Sequence, residues 1–399
     1  MNSGQQATRR PSLLRDPVTY HAGALGTFMA ASAAPTPLYR FYQEVFAVSP
    51  GMVAIVFAVY VFALLISLLI AGSLSDHLGR RPVVFVSILV EIAAMALFAT
   101  ASGPGQLILA RIVQGVATGV GTASIGAALV DFGRARGQAV NSITLFGGMA
   151  VGTLGTSALV QFGPDPLHLT FSLLLVLFAL EAAAIWLTPE TVRGKLGLLH
   201  SLRPRLSVPP QARRAFLSIT PLHMADWTLG GFYLSLVPAV VVAATGNHAP
   251  LTGGAVVTAL LVASTITNYT CRAKDPRKNL MASVFAAVAG VVTVLCGIHL
   301  ASVALLLVGT LFCGIGFGLN FLGCIGLVMP LAKSDERAEL LSSLYTLGYL
   351  AFSVPAILAG FLVSSLGYTV TADIYAAVIL ALNLAGVFCL KAVKTPPAP

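Results

Sequence analysis

The chain has 399 residues, 57% of them hydrophobic and only 9% charged, with a net charge of +9. A water-soluble domain carries about 25% charged residues, so an aqueous surface over most of this chain is excluded and lipid must serve as its solvent. The basic residues fall in alternate short loops rather than on one helix face or arm, which marks membrane topology and excludes a nucleic-acid footprint.

In chain order, residues 1–19 are polar, hold Arg9, Arg10 and Arg15, and read as a cytoplasmic tail. The apolar stretch that follows has no small-residue cleavage site and reads as a first span, not a cleaved leader. A span needs about 20 mainly apolar residues. Twelve such runs are predicted, over 20–40, 51–73, 82–101, 105–129, 139–162, 168–188, 215–243, 252–271, 280–299, 302–330, 339–365 and 369–390. No strand-like alternation recurs, which argues against a barrel. The expected class is an all-α membrane protein with twelve transmembrane helices.

Of the 23 Lys and Arg, all but Arg40 and Arg111 lie in the termini or in every second loop. That bias predicts both termini in the cytoplasm of a multi-pass plasma (inner) membrane protein. The Arg- and Pro-rich segment 189–214 reads as a cytoplasmic linker between six-helix bundles at 20–188 and 215–390, with a cytoplasmic tail at 391–399. The halves echo each other: Leu25-Gly26-Thr27-Phe28 with Leu229-Gly230-Gly231-Phe232, Gly115 and Gly119 with Gly314 and Gly318, Arg136 and Gly147 with Arg337 and Gly348. An even number of spans per half makes them parallel pseudo-repeats about an axis along the membrane normal. The five cysteines form no CxxC and have no paired His, so they read as apolar packing residues without disulfide or metal.

The segment between spans 2 and 3, Gly72-Ser73-Leu74-Ser75-Asp76-His77-Leu78-Gly79-Arg80-Arg81-Pro82, carries the strongest motif. Gly79 and Pro82 suit a tight turn, and Asp76 and Arg80 are spaced to pair on a helix. Asp131 ends span 4 on the same side. One arginine between two acids makes a charge cluster that latches helix ends and biases one state of a two-state carrier.

This segment resembles the signature loop of the major facilitator superfamily, and span count, linker and half-repeat extend the resemblance over essentially the whole chain. The resemblance implies a gating charge relay of Asp76, Arg80 and Asp131, with Gly72, Gly79 and Arg81 in the same motif. Its second-half counterpart, Cys271 to Lys278, is degraded. A second family motif lies in span 4, where Arg111, Gln114, Gly115 and Thr118 share one face. An arginine within lipid needs a carboxylate, carbonyls or water beside it. In proton-coupled relatives this arginine tunes proton binding, which is the role implied for Arg111. The glycines permit close helix packing. Span 5 departs from the drug/proton antiporters: Thr153 stands where a proline is expected between Gly152 and Gly155. Pro189-Glu190-Thr191 resembles a short family boundary motif.

Four acids lie within spans: Glu91, Glu181, Asp226 and Asp373. In the family fold spans 1, 4, 7 and 10 line the central cavity, which favours Asp226 on span 7 and ranks the other three, on peripheral spans, behind it. Asp226 lies near the bilayer centre and His223 shares its face, so the expected proton site is Asp226 assisted by His223 and Arg111. Gln114, Asn320, Tyr345 and Tyr349 are the candidate cavity contacts. Tyr39 and Tyr42 read as interfacial aromatics.

The leading expectation is a secondary active transporter that moves a small organic solute across the inner membrane by alternating access. Proton-coupled efflux by antiport is favoured over proton-coupled uptake by symport. Its partners are the solute, protons and the lipid bilayer, with no nucleic acid, as a monomer. It needs no cofactor beyond a proton gradient. From other classes, a membrane-embedded enzyme lacks a nucleophile, metal or phosphate motif, and a non-transporting sensor lacks an added soluble domain.

Overall fold

A computed structural model describes residues 16–192, 202, 204 and 206–392. The expected tails up to residue 15 and from 393, and linker residues Arg193, Lys195, Arg203 and Arg205, lie outside the described residues. Among the described residues the elements are all helical: α1 (Pro17–Ala33), α2 (Tyr39–Phe46), α3 (Pro50–Ala71), α4 (Leu74–Leu78), α5 (Arg80–Ala99), α6 (Pro104–Phe132), α7 (Arg134–Phe162), α8 (Pro166–Ala184), α9 (Pro210–Ser235), α10 (Val237–Thr245), α11 (Pro250–Cys271), α12 (Pro276–His299), α13 (Val303–Val328) and α14 (Arg337–Ala392), with single 3-10 turns between some of them.

Proline sets many of the starts, because it lacks the N–H that the first helical turn leaves unpaired. Asp16, Ser49 and Asp275 precede Pro17, Pro50 and Pro276, and each side chain accepts a backbone hydrogen bond from the first turn. Among the described residues nine helices are long and apolar enough to cross a membrane, or ten if α9 and α10, bent by 67° at Leu236, form one broken span. α14 runs for 56 residues, but Gly367 breaks it at φ 77°, ψ 172°, between the expected spans 339–365 and 369–390.

Two expected spans are corrected. The run 20–40 is helical only to Ala33, since Pro35 and Pro37 cannot continue the ladder; a 3-10 turn over Thr36–Leu38 and the short α2 follow. The run 215–243 starts at Pro210 and breaks before Val237-Pro238. Thus the first helix on either side of the linker is broken near the end that lies away from it.

Glycine governs the packing. α12 and α13 lie antiparallel, with Gly297 against Leu306, Gly290 against Cys313 and Gly323 against Leu280. A Cβ on Gly115 of α6 would stand 2.4 Å from the Tyr60 carbonyl of α3; on Gly314 of α13 it would stand 2.5 Å from the Leu260 carbonyl of α11. Ser67 donates to the Gly115 carbonyl at 3.3 Å and Ser264 to the Gly314 carbonyl at 3.1 Å. The same small-residue contact therefore recurs in α3–α6 and α11–α13, with backbones in the close approach that membrane helices use. Large apolar side chains such as Phe285, Phe361 and Phe388 stand more than half exposed on the outside, as a lipid-facing surface requires.

Candidate functional site

The helix ends that carry Arg80, Arg134 and Arg337 form a basic face. There α4 supplies Asp76 and α5 begins at Arg80 after Gly79, whose φ of 97° favours glycine. Arg80 is 8% exposed. Its guanidinium contacts Asp76 at 2.5 Å, Asp131 at 3.1 Å and the Ser75 hydroxyl at 2.7 Å. The expected trio is thus together, joining the α3–α5 turn to the end of α6. Gly72 ends α3 beside it.

The boundary motif joins the same cluster. The Glu190 carboxylate accepts the backbone N–H groups of Arg80 at 2.8 Å and Arg81 at 2.9 Å. Thr191 donates to Asp131 at 2.9 Å. Arg81 turns away, donating to the Trp186 carbonyl and lying 5.1 Å over that ring. Nothing in the spacing of Pro189-Glu190-Thr191 signals a contact so far away in the chain.

A second polar cluster lies deeper. Arg111, 1% exposed, is seven residues into α6, about 10 Å from its start. It donates to the Ser32 carbonyl at 3.1 Å, to Gln114 Oε1 at 2.7 Å and to the Tyr39 hydroxyl, and Tyr60 faces it at 4.9 Å. Gln114 Nε2 donates to the Ala31 carbonyl at 3.0 Å and to Glu91 at 3.2 Å. Tyr39 and Tyr42 are buried core residues and not interfacial ones: Arg111 draws the Tyr39 hydroxyl and ring inward, and Tyr42 stacks on Phe46. Glu91, ranked low for its peripheral helix, is fully buried beside Arg111 and Gln114, since α5 packs directly along α6.

Asp226 is separate from this cluster. It lies about 24 Å along α9 and about 14 Å from its break, 7% exposed, with no hydrogen-bond or ion-pair partner among the described residues. His223 forms no hydrogen bond with it: the imidazole bonds the Leu344 carbonyl at 3.0 Å. Arg111 does not reach it either: its hydrogen bonds go to α1, α2 and α6, and its Nε has no partner among the described residues. Asn320 donates to the Leu222 carbonyl at 3.0 Å and accepts from the Cys324 thiol, a helix-to-helix tie rather than an open contact. Glu181 accepts from Thr27 at 2.6 Å, and Asp373 pairs with His299 in partly exposed surroundings.

Tyr345 and Tyr349 belong to an aromatic wall around Trp227, with ring centroids 6.3 and 4.8 Å from the indole. Phe352 adjoins it at 6.0 Å and meets Phe57 of α3 at 5.2 Å. Phe146 of α7 meets Phe317 and Phe321 of α13 at 5.6 and 5.9 Å. These rings join the segments before and after the linker at mid-depth.

Farther from the basic face the two segments close on each other. Thr36 donates to the Leu234 carbonyl at 2.9 Å, the Leu251 amide to Gln161 at 3.1 Å, and Arg40 contacts His248 at 2.9 Å. Gly254 approaches Ser157 so closely that a Cβ would stand 1.9 Å from its hydroxyl. A cavity of about 280 Å³ lies here, lined by Arg40, Glu44, Gln161 and His248 among others. At the basic face the polar ties run within each segment: Arg136 to Asp16, Gln211 to Glu336, Ser343 to the Ser207 carbonyl.

Long apolar helices, a charged cluster at one face and a buried arginine at depth define a polytopic membrane protein. Residues 20–271 match the Major Facilitator Superfamily, and the chain belongs to that superfamily of membrane transporters. The family places it among transporters and not enzymes. It is 26% identical over 198 residues to the multidrug resistance protein MdtL of Shewanella sp. (strain ANA-3), covering 48% of this chain and 49% of that one. The match thus spans about half the length of that relative. The fold is shared with a POT family transporter solved in complex with 5-aminolevulinic acid (TM-score 0.76, 14% identity, 94% of this chain and 96% of that one). It is shared too with the human organic anion transporter MFSD10 (TETRAN) (TM-score 0.65, 18% identity, 94% and 100%).

Proposed function

We propose that the chain is a secondary active transporter that moves a small organic solute across the plasma membrane by alternating access, with proton-coupled export as its direction. In this reading twelve spans form six-helix bundles at 20–188 and 215–390. α1 with its extension, the bent pair α9–α10 and the second arm of α14 supply the three spans beyond the nine that length and hydropathy count. The equivalent contacts at Gly115 and Gly314 support the half-repeat. The basic face is cytoplasmic by the distribution of Lys and Arg.

One observation carries the proposal: hydrogen bonds between the halves gather at the face away from Arg80, while each half is tied within itself at the basic face. That asymmetry suits a carrier sealed outside and free to part inside, one of the two states that alternation needs. The Asp76–Arg80–Asp131 latch keeps the N-terminal half rigid as it rocks. The wall of Trp227, Tyr345 and Tyr349 offers broad aromatic contact to a solute, and Gln114 and Asp226 stand at comparable depth for polar and proton chemistry. The half-length likeness to a protein named for multidrug resistance favours export.

The test is solute-dependent proton flux in proteoliposomes under an imposed pH gradient, after a ligand panel scored by thermal stabilisation and counterflow. Flux is expected only with solute, and Asp226→Asn is expected to lose its dependence on the gradient. Flux that ignores solute rejects the reading. Proton-coupled uptake is the competing direction, resting on Thr153 in the place of a proline; α7 indeed runs unbroken through it. Reversing the gradient in the same vesicles separates the two.

A further inference from the structure

Arg111 has no carboxylate in contact. Its charge is answered by the Ser32 carbonyl, Gln114 Oε1, the Tyr39 hydroxyl and aromatic faces. The Gln114 amide works at both ends: Oε1 accepts from Arg111, and Nε2 donates to the Ala31 carbonyl and to Glu91 Oε1. A guanidinium only donates and a charged carboxylate only accepts, so an amide between them has one allowed orientation. The second Glu91 oxygen is buried with no partner among the described residues.

The carbonyls held by this pair belong to the last turn of α1, where a helix leaves carbonyls unpaired. Beyond them, across the proline break, Thr36 makes the hydrogen bond to Leu234 at the break between α9 and α10. A short path therefore runs from Glu91 through Gln114 and Arg111 to the end of α1 and on to the outer seal.

We infer that Glu91 is a proton-sensing group that sets the outer seal through Gln114 and Arg111, a role that rests on the alternating-access reading above. With Glu91 charged, the amide is locked and Arg111 holds the end of α1 closed against the α9–α10 break. A proton taken up from water makes the carboxyl a donor. The Gln114–Glu91 hydrogen bond then loses its charge assistance, Arg111 loses the negative charge nearest to it, and the α1 end is freed; the same proton returns to water when the seal re-forms. The groups facing Glu91 are Arg111 and Gln114 from α6 and Tyr60 from α3. Glu181 of the adjoining α8 is bonded instead to Thr27, and Asp76 and His77 of α4 and Arg80 at the start of α5 lie about 16 Å or more along the helix axis from Glu91.

The test is a spin-label distance across the seal, between Val45→Cys on α2 and Ala243→Cys on α10. Cys271, Cys296 and Cys389 are replaced, and the buried Cys313 and Cys324 are retained. The distance is expected to lengthen between pH 8 and pH 5 in this background. Glu91→Gln is expected to show the long distance at both, and Glu91→Asp to keep the response with a moved midpoint. Gln114→Leu, which keeps Glu91, is expected to lose the response. Retention of the pH response in Glu91→Gln or in Gln114→Leu overturns the inference. So does its loss in His248→Gln, since Arg40 and His248 form the other titratable link across this face. The readout needs neither solute nor gradient, so a failure to find solute-linked flux is distinguishable from a failure of this assignment.

Discussion

Glu190 closes the N-terminus of the helix that begins at Arg80, accepting the Arg80 amide at 2.8 Å and the Arg81 amide at 2.9 Å. An anion there answers both the unpaired amides and the helix dipole. Burial works to raise this carboxyl, but amides of Val192, Arg80, Arg81 and Thr191 outweigh it and hold it below the usual carboxylate range. A carboxyl held low in the folded state contributes stability that is complete above its unfolded value and lost as pH falls through the folded one. Glu190→Gln is expected to cost about 0.3–1 kcal/mol at neutral pH. The gap in melting temperature from the parent should close as pH falls from 6 to 3, measured in detergent. A gap that stays constant with pH rejects the charge-based account.

Arg80 meets two acids of different exposure: the Asp131 side chain is 32% exposed and the Asp76 side chain 49%. Exposed pairs contribute only about 0.2–1 kcal/mol, and the less hydrated pair retains more of its attraction. Asp131 is also tied to Thr191. Double-mutant cycles with Arg80→Gln are therefore expected to give a larger coupling for Asp131→Asn than for Asp76→Asn. Equal couplings would show that Thr191 and burial add nothing.

The contact of Arg80 with Asp76 and Asp131 was legible in the sequence because helical spacing and side of the membrane bring charged groups to one face. Hydropathy exposed the long helices for the same reason: lipid demands apolar runs of fixed length. What the sequence hid depended on contacts between distant segments. Glu190 reaches α5 across more than a hundred positions, and Glu91 was discounted by its helix although only the facing residues of α6 decide its surroundings. Tyr39 reads as interfacial by its place near a span end, but α1 stops at Ala33, which folds the next turn inward. His223 shares a helical face with Asp226, yet its imidazole is claimed by a carbonyl of α14 that no spacing rule reveals.

Gly348 seats the indole of Trp227. A Cβ there would stand 2.5 Å from Cε2 and 2.6 Å from Cδ2 of the ring. Backbone and ring both resist, so Gly348→Ala is expected to turn Trp227 out of its contacts with Tyr345 and Tyr349. Only Trp186, near the Arg80 end, shares the fluorescence. In a Trp186→Phe background the emission of Trp227 is expected to shift to longer wavelength. Thermal stabilisation by a bound solute is expected to fall several-fold in affinity, about 1 kcal/mol. Unchanged emission would mean the wall is not packed as described.

At the outer seal the contact between Gly254 and Ser157 leaves no room for a methyl group, with the Ser157 hydroxyl at 1.9 Å and its Cβ at 2.5 Å from where a Cβ would stand. The neighbour is a short side chain on a helix, which has little freedom to retreat. Gly254→Ala is expected to part α7 from α11 and to expose Val160→Cys, at a buried position beside the outer cavity, to a membrane-impermeant maleimide from outside, with Cys296 replaced to silence its exposed thiol. Ser157→Gly removes both obstructing atoms and leaves the Thr153 carbonyl at 3.5 Å, an ordinary contact. The double variant Ser157→Gly, Gly254→Ala is therefore expected to recover parental labelling, whereas a merely destabilised fold would not be rescued by a second small-residue change. Labelling that rises with Gly254→Ala and stays high in the double variant would place the obstruction elsewhere. If it rises and then falls, that close approach is required for the seal beside the hydrogen bonds of Thr36, Gln161 and Arg40.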